Sequence, residues 1–110
     1  METKDIARII EKVVRLIVVK DLSSLYDSDA EKGYEVDDLL SAIVEYPDEL
    51  QLAPESHNYL DFRFYFEDNS SLQVEFEIWA NDEPSDLTLI LSLRDCDGNL
   101  TYSLRDLRVM

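Results

Sequence analysis

Apolar residues fall at every second position in two consecutive runs near the middle of the chain. Over 59–67, Leu60, Phe62, Phe64 and Phe66 alternate with Tyr59, Asp61, Arg63, Tyr65 and Glu67. Over 72–80, Leu72, Val74, Phe76, Ile78 and Ala80 alternate with Gln73, Glu75, Glu77 and Trp79. Side chains on a strand point to alternate faces, so each run predicts a strand with one apolar face. Asp68-Asn69-Ser70-Ser71 between them reads as a turn, because such side chains bond nearby backbone. Keeping the apolar faces together sets Phe66 opposite Leu72, Phe64 opposite Val74, Phe62 opposite Phe76 and Leu60 opposite Ile78. A one-residue slip would turn one apolar set to water. The other face then pairs Tyr65 with Gln73, Arg63 with Glu75, Asp61 with Glu77 and Tyr59 with Trp79. Arg63 with Glu75 is favourable; Asp61 opposite Glu77 is a like-charge pair, which destabilises a sheet.

The same alternation predicts two more strands, over 87–95 and 99–109. Leu87, Leu89, Leu91 and Leu93 share one face of the first. Asp97-Gly98 between them suits a type I′ turn, which needs positive φ. That turn pairs Leu93 with Tyr102 and Leu91 with Leu104. Leu100, Tyr102 and Leu104 have one parity, but Leu107 and Val109 have the other, which predicts a β-bulge near Arg105 and Asp106. Asn81–Asp86 reads as the turn joining the second and third strands.

Ahead of the strands the period changes. Ile6, Ile9, Ile10, Val13, Leu16 and Ile17 recur at spacings of three and four, which predicts an amphipathic helix over 4–19 with Thr3 as its N-cap. Asp21 caps a short helix over 22–26, with Leu22, Leu25 and Tyr26 inward. Residues 27–33 are a polar loop. A further helix spans 35–46, with Val36, Leu39, Leu40, Ile43 and Val44 on its apolar side, and Pro47 ends it. Residues 47–58 form an extended connection. The expected architecture is one α+β domain over 1–110, its N-terminal helices packed on a curved four-stranded antiparallel meander.

Charge changes the picture most. The 110 residues carry a formal net charge of −15. The first twenty hold five basic and three acidic side chains; the stretch 21–58 holds one basic and eleven acidic. Such a field repels nucleic acid and anionic membranes and attracts basic partners. The longest apolar run near the start, Leu16–Val19, is far short of a membrane span, which takes ~20 residues. The lone Cys96 forms no internal disulfide, which fits a reducing, cytoplasmic setting.

Candidate chemistry is sparse. His57 sits in a connection without a nucleophile or orienting partner nearby in sequence. Cys96 lies between Asp95 and Asp97, an environment that blunts thiol reactivity. Asp95, Asp97 and Asn99 superficially resemble a calcium loop, but glycine is fourth rather than sixth and the twelfth residue is Asp106. Asp27, Asp29 and Glu31 form a carboxylate cluster that reads as solvated loop side chains. No catalytic set, metal site or cofactor is expected. The candidate binding surface is the outer hairpin face: Tyr59, Tyr65 and Trp79 as aromatic anchors, with Asp61, Glu75 and Glu77 around them to meet Lys or Arg of a partner. The acidic helical segment from Asp27 to Glu49 is the alternative surface.

The helix order, the Tyr46-Pro47 helix end, the strand start from Ser85 to Leu89 and the closing Asp106–Val109 together resemble a group of small uncharacterised bacterial domains. The order of helices then meander is similar to the cone-shaped cystatin-like fold of the nuclear transport factor superfamily. That resemblance implies a pocket inside the cone in enzymatic members, but the inward positions here are apolar. Size and acidity also resemble immunity proteins that neutralise toxins, often nucleases with basic clefts. The expected function is therefore a non-catalytic binding protein that occludes a basic toxin. The alternatives are a small-ligand or enzymatic cone domain, or a homodimer packed through its outer sheet faces.

Overall fold

The computed structural model describes residues 1–110. Three helices precede the sheet: α1 (Thr3–Val18), α2 (Leu22–Asp27) and α3 (Val36–Glu45). Five strands follow: β1 (Leu50–Gln51), β2 (Arg63–Phe66), β3 (Ser71–Ala80), β4 (Glu83–Cys96) and β5 (Asn99–Val109), with a short 3-10 helix at Ser56–Leu60 between β1 and β2. All strand pairs are antiparallel. Two successive segments, β1 and β2, occupy the same side of β3, and β4 and β5 continue the sheet on the other. The sheet curls into a half-barrel closed by the helices, an α+β fold.

Ile6, Ile10, Val13, Val14 and Ile17 of α1 are buried in one core with Leu72, Val74, Phe76 and Ile78 of β3 and Leu87, Leu89, Leu91 and Leu93 of β4. The helix starts one residue earlier than expected: Glu2 is its N-cap and makes no side-chain bond. Asp21 does cap α2, accepting from the Ser24 N–H at 3.3 Å and the Ser24 Oγ–H at 2.8 Å.

The register of both hairpins follows the apolar pattern. Phe66 opposes Leu72, Phe64 opposes Val74, Tyr65 opposes Gln73 and Arg63 opposes Glu75. Leu93 opposes Tyr102 and Leu91 opposes Leu104, with the register shift falling at Arg105 as the phase change requires. Asp97 and Gly98 both have positive φ, 53° and 85°. The joint between β3 and β4 is tighter than expected. Asn81 and Asp82 adopt φ of 54° and 62°, so two residues make the turn and β4 starts at Glu83.

The first strand of the central hairpin is much shorter than its alternation suggests. Residues 59–62 leave the sheet because the 3-10 helix takes Tyr59 and Leu60, and Asp61, its C-cap, and Phe62 carry the chain back to β2. The Glu55 N–H donates to Asn58 Oδ1 at 3.0 Å, and the Asn58 N–H donates to the Glu55 carbonyl, also at 3.0 Å. Once that turn forms, Tyr59 rotates inward and Leu60 outward, the reverse of a strand's parity. The pairings of Asp61 with Glu77 and Tyr59 with Trp79 therefore do not exist. Their place opposite the end of β3 is taken by β1, with Leu50 opposite Ala80 and Gln51 opposite Trp79. Gln51 also brackets the turn, donating to Asp82 Oδ1 at 3.2 Å and accepting the Asp82 N–H at 2.9 Å.

Candidate functional site

Three of the expected site residues do gather on the outer face of β2 and β3. Tyr65 is exposed, Glu75 is half-buried with Arg63 Nε at 3.4 Å, and Glu77 is exposed. Tyr59 is not with them. It is 2% exposed, stacked on Phe76 at 5.4 Å between ring centroids, and its hydroxyl accepts the Ala53 N–H at 3.0 Å. It is a core residue, and a tyrosine rather than a phenylalanine there satisfies a backbone donor. Burial raises its pKa. Trp79 is half-buried and packs against the core between Gln51 and Pro84. Asp61 is exposed just past the 3-10 helix, away from Glu77's strand partner. The aromatic anchor pair expected on this face is thus absent.

Two other surfaces emerge. The first is the outward side of α3. Leu40 and Val44, four residues apart and therefore stacked on one helix face, remain exposed, Val44 by 63%. Each residue turns a helix by about 100°, so the five apolar positions of α3 span more than one buried stripe and its edge faces water. On this side of α3 lie Asp37, three residues before Leu40, and Asp48 and Glu49, which line one depression with Val44 and Lys20; all three carboxylates are exposed, while Glu35 and Asp38 line the opposite side of the helix and Glu45 faces β5. None of them belongs to an ion pair.

The α3 face is held in place from both ends. At its C-terminal end the Tyr46 hydroxyl donates to Asp86 Oδ1 at 2.6 Å, a bond that raises the tyrosine's pKa. Before it, Asp29 pins the loop to the sheet. Its carboxylate is 1% exposed and accepts three backbone N–H groups: Glu31 at 2.9 Å, Lys32 at 2.8 Å and Leu104 of β5 at 2.7 Å. The Ala30 N–H adds a bond to the Tyr102 carbonyl at 2.9 Å, and Arg105 Nη1 meets Glu31 Oε2 at 2.6 Å. Asp29 is therefore a structural bolt, not a solvated loop acid. An aspartate in a polar loop gives no hint of this, because its third donor is 75 residues away in sequence.

A cleft of about 490 Å³ lies between this loop, α3 and β5. Tyr26, Lys32, Tyr34, Asp38, Arg105 and Asp106 are among its lining residues. The Tyr34 hydroxyl is buried without a hydrogen-bond partner, and burial pushes its pKa well above the usual tyrosine range. His57 lies elsewhere, against Arg8 and Glu11 of α1, and Cys96 is exposed at the β4–β5 turn.

The second surface is β2. All four of its residues are exposed, whereas Phe64 and Phe66 are expected to point into the core. Phe64 is 49%, Tyr65 52% and Phe66 80% exposed. The reason is the length of the cover. A helix of 16 residues is about 24 Å long, while 14 residues of strand reach about 46 Å. The start of α1 ends beside β2, where Met1, Thr3 and Ile6 face Phe62, Phe64 and Phe66 across an open groove of about 280 Å³.

No helix is long and apolar enough to cross a membrane. No curated protein and no solved structure matches the chain. A family model described as a domain of unknown function, DUF7668, matches residues 14–110, which take in all of the sheet and most of the helical layer, and the chain belongs to that family.

Proposed function

We propose that this chain is a non-catalytic binding protein whose α3 face takes a cationic protein partner. The observation that carries this reading is the exposed Leu40–Val44 pair beside three exposed carboxylates without an ion pair, Asp37, Asp48 and Glu49. An apolar centre with a charged rim is how protein interfaces are built, and the centre supplies affinity while the rim steers. A field of −15 speeds encounter with a basic surface and makes association sensitive to salt. In its most specific form the role is that of an immunity protein, which covers the basic cleft of a toxin.

The test is capture of binding proteins from cells that naturally express the chain, at low salt, by wild type and two variants. Val44→Asp removes the apolar centre; Asp37→Lys with Asp48→Lys reverses part of the rim. A basic protein retained by wild type and lost by both variants supports the reading. No basic protein retained, or equal retention by all three, removes it.

The cleft with the unpartnered Tyr34 hydroxyl supports a second reading, a small polar ligand held between α3 and β5. A metabolite that protects wild type but not Tyr34→Phe from thermal unfolding would favour it over the first.

A further inference from the structure

We propose that β2 pairs with β2 of a second copy, antiparallel and across a two-fold axis through Tyr65, so that two sheets join into one. An open edge with exposed aromatics is a template for another strand, and proteins normally protect it. The two edges of this sheet differ in their cover. The Asp29–Ala30 segment covers β5 at Tyr102 and Leu104, but β2 has a strand neighbour only in β3.

The backbone fixes which groups are free. The Glu67 N–H donates to the Ser71 carbonyl across the hairpin. Main-chain groups alternate sides along an antiparallel strand, so those of Tyr65 and Arg63 also point to β3. Those of Phe64 and Phe66 point to the open edge. A two-fold axis at Tyr65 sets Phe64 opposite Phe66 of the second copy. Each such pair exchanges two backbone hydrogen bonds, and symmetry makes four.

The side chains select the same register. Arg63, which meets Glu75 in its own chain, falls opposite Glu67 of the second copy, whose carboxylate accepts the Ser92 hydroxyl in its own chain; this places opposite charges across the joint twice, with the two Tyr65 rings between them on the outer face. On the inner face Phe62, Phe64 and Phe66 already form a ladder, with centroids 6.3 Å and 5.8 Å apart. The second copy continues it and covers Phe66, the most exposed of the three. Moving the axis to Phe64 would set Asp61 opposite Glu67, two like charges. Moving it to Phe66 would set Phe64 opposite Asp68. Within residues 63–67 only the Tyr65 axis sets Arg63 opposite Glu67 and keeps both phenylalanines of β2 paired with each other; Phe62, outside the strand, falls opposite Asp68.

Each copy carries −15, so pairing works against long-range repulsion. Salt screens that repulsion and leaves the apolar contact intact. Dimerisation through β2 is therefore strengthened by salt, the opposite of binding a cationic partner.

Sedimentation equilibrium of the full chain at low and high sodium chloride tests this, with three variants. Wild type is expected to dimerise with concentration, more tightly at high salt. Phe66→Pro removes an N–H from the open edge, not from the β3 ladder, and is expected to be monomeric. A cysteine pair reads the register independently of how Phe66→Pro folds. In a Cys96→Ser background, Tyr65→Cys brings two thiols to a Cα separation of about 4.5 Å, within disulfide reach. Arg63→Cys leaves them about 13 Å apart, beyond it. Rapid disulfide dimers from Tyr65→Cys and none from Arg63→Cys are the expected result. A wild-type monomer at all concentrations and salts overturns the proposal and leaves β2 to a foreign strand. So does a dimer that salt dissociates, or equal cross-linking at both positions.

Discussion

Replacing Asp29 by alanine removes one carboxylate and three backbone hydrogen bonds together. The Leu104 N–H lies in a residue only 4% exposed, so water cannot replace its partner. Losing a charge-assisted bond there and stranding the donor costs about 2–3 kcal/mol. The Glu31 and Lys32 residues are exposed, so their N–H groups rehydrate at about 0.5–1 kcal/mol each. The expected loss is therefore about 3–5 kcal/mol, a large share of the 5–15 kcal/mol typical of a domain. For a chain of this length it corresponds to a fall in Tm of about 12–20 °C. Asp29→Asn is expected to lose nearly as much. Both carboxylate oxygens accept, and an amide would turn an NH2 toward at least one of the donors. Asp27→Ala is the control, since it removes the same charge from an exposed side chain that makes no hydrogen bond and so is expected to be close to neutral.

Urea unfolding followed by circular dichroism gives the free-energy difference, with the m-value checking that the transition stays two-state. Amide exchange gives the location: the Leu104 N–H is expected to exchange much faster in the variant than Tyr102's neighbours in the sheet. An Asp29→Ala protein within about 1 kcal/mol of wild type would refute the bolt, as would unchanged protection at Leu104.

Three further outcomes follow from burial. Tyr59→Ala is expected to cost about 3–5 kcal/mol and Phe66→Ala less than about 1 kcal/mol in the same urea assay, the reverse of what alternation along 59–67 implies. Tyr34→Phe is expected to raise stability by up to about 1 kcal/mol, because it deletes a buried hydroxyl without a partner; a loss instead would reveal a partner in the cleft. Burial raises the pKa of Tyr34, Tyr59 and Tyr102, so the folded state keeps protons that the unfolded chain releases near pH 10. Their stabilising contribution is intact below that pH and is lost as pH rises toward the folded values, and ultraviolet titration of tyrosinate is expected to show these rings ionising only as the protein unfolds.

Most of the fold is legible because sheet register has few solutions. The Asp97-Gly98 turn and the phase change at Leu107 each specify one pairing, and both pairings occur. The central hairpin is legible only where its strands are long enough for alternation to decide. At Tyr59 a local competitor wins: a capped 3-10 turn reverses inside and outside for two residues, and alternation alone cannot register that. The candidate surfaces were harder to read. Apolar pattern says which side of an element is oily, not how far the covering element extends. Phe64 and Phe66 have core parity, but α1 stops short of them. Leu40 and Val44 sit at the rim of a stripe wider than the core can accept. Asp29 is the extreme case, since nothing within thirty residues of it hints at the β5 amide it binds.

The two surfaces sit at opposite ends of α1, and this decides whether they can coexist: Thr3 and Ile6 lie beside the phenylalanines of β2, and Ile17 and Val18 lie beside Val44, about 20 Å further along the helix. The strand order runs from β2 through β3 and β4 to β5, and α3 packs near β5. Pairing two copies at β2 makes a sheet eight strands wide, with each α3 face beside the far end of its own α1. At about 1.5 Å per residue along α1, each acidic face stands about 20 Å from the joint. That is more than two Debye lengths at physiological salt, so they contribute little to the repulsion that pairing must overcome. The charges that oppose pairing are those near the axis, Glu67 and Asp68: Glu67 accepts the Ser92 hydroxyl and in the proposed pair also faces Arg63 of the second copy, and Arg94 lies 3.4 Å from Asp68. A chain of net charge −15 can therefore join at β2 while both α3 faces stay open to a cationic partner. A partner with two basic sites would then bind the dimer more tightly than the monomer, by an amount set by its reach. Phe66→Pro would remove that gain and leave the affinity of a single α3 face unchanged.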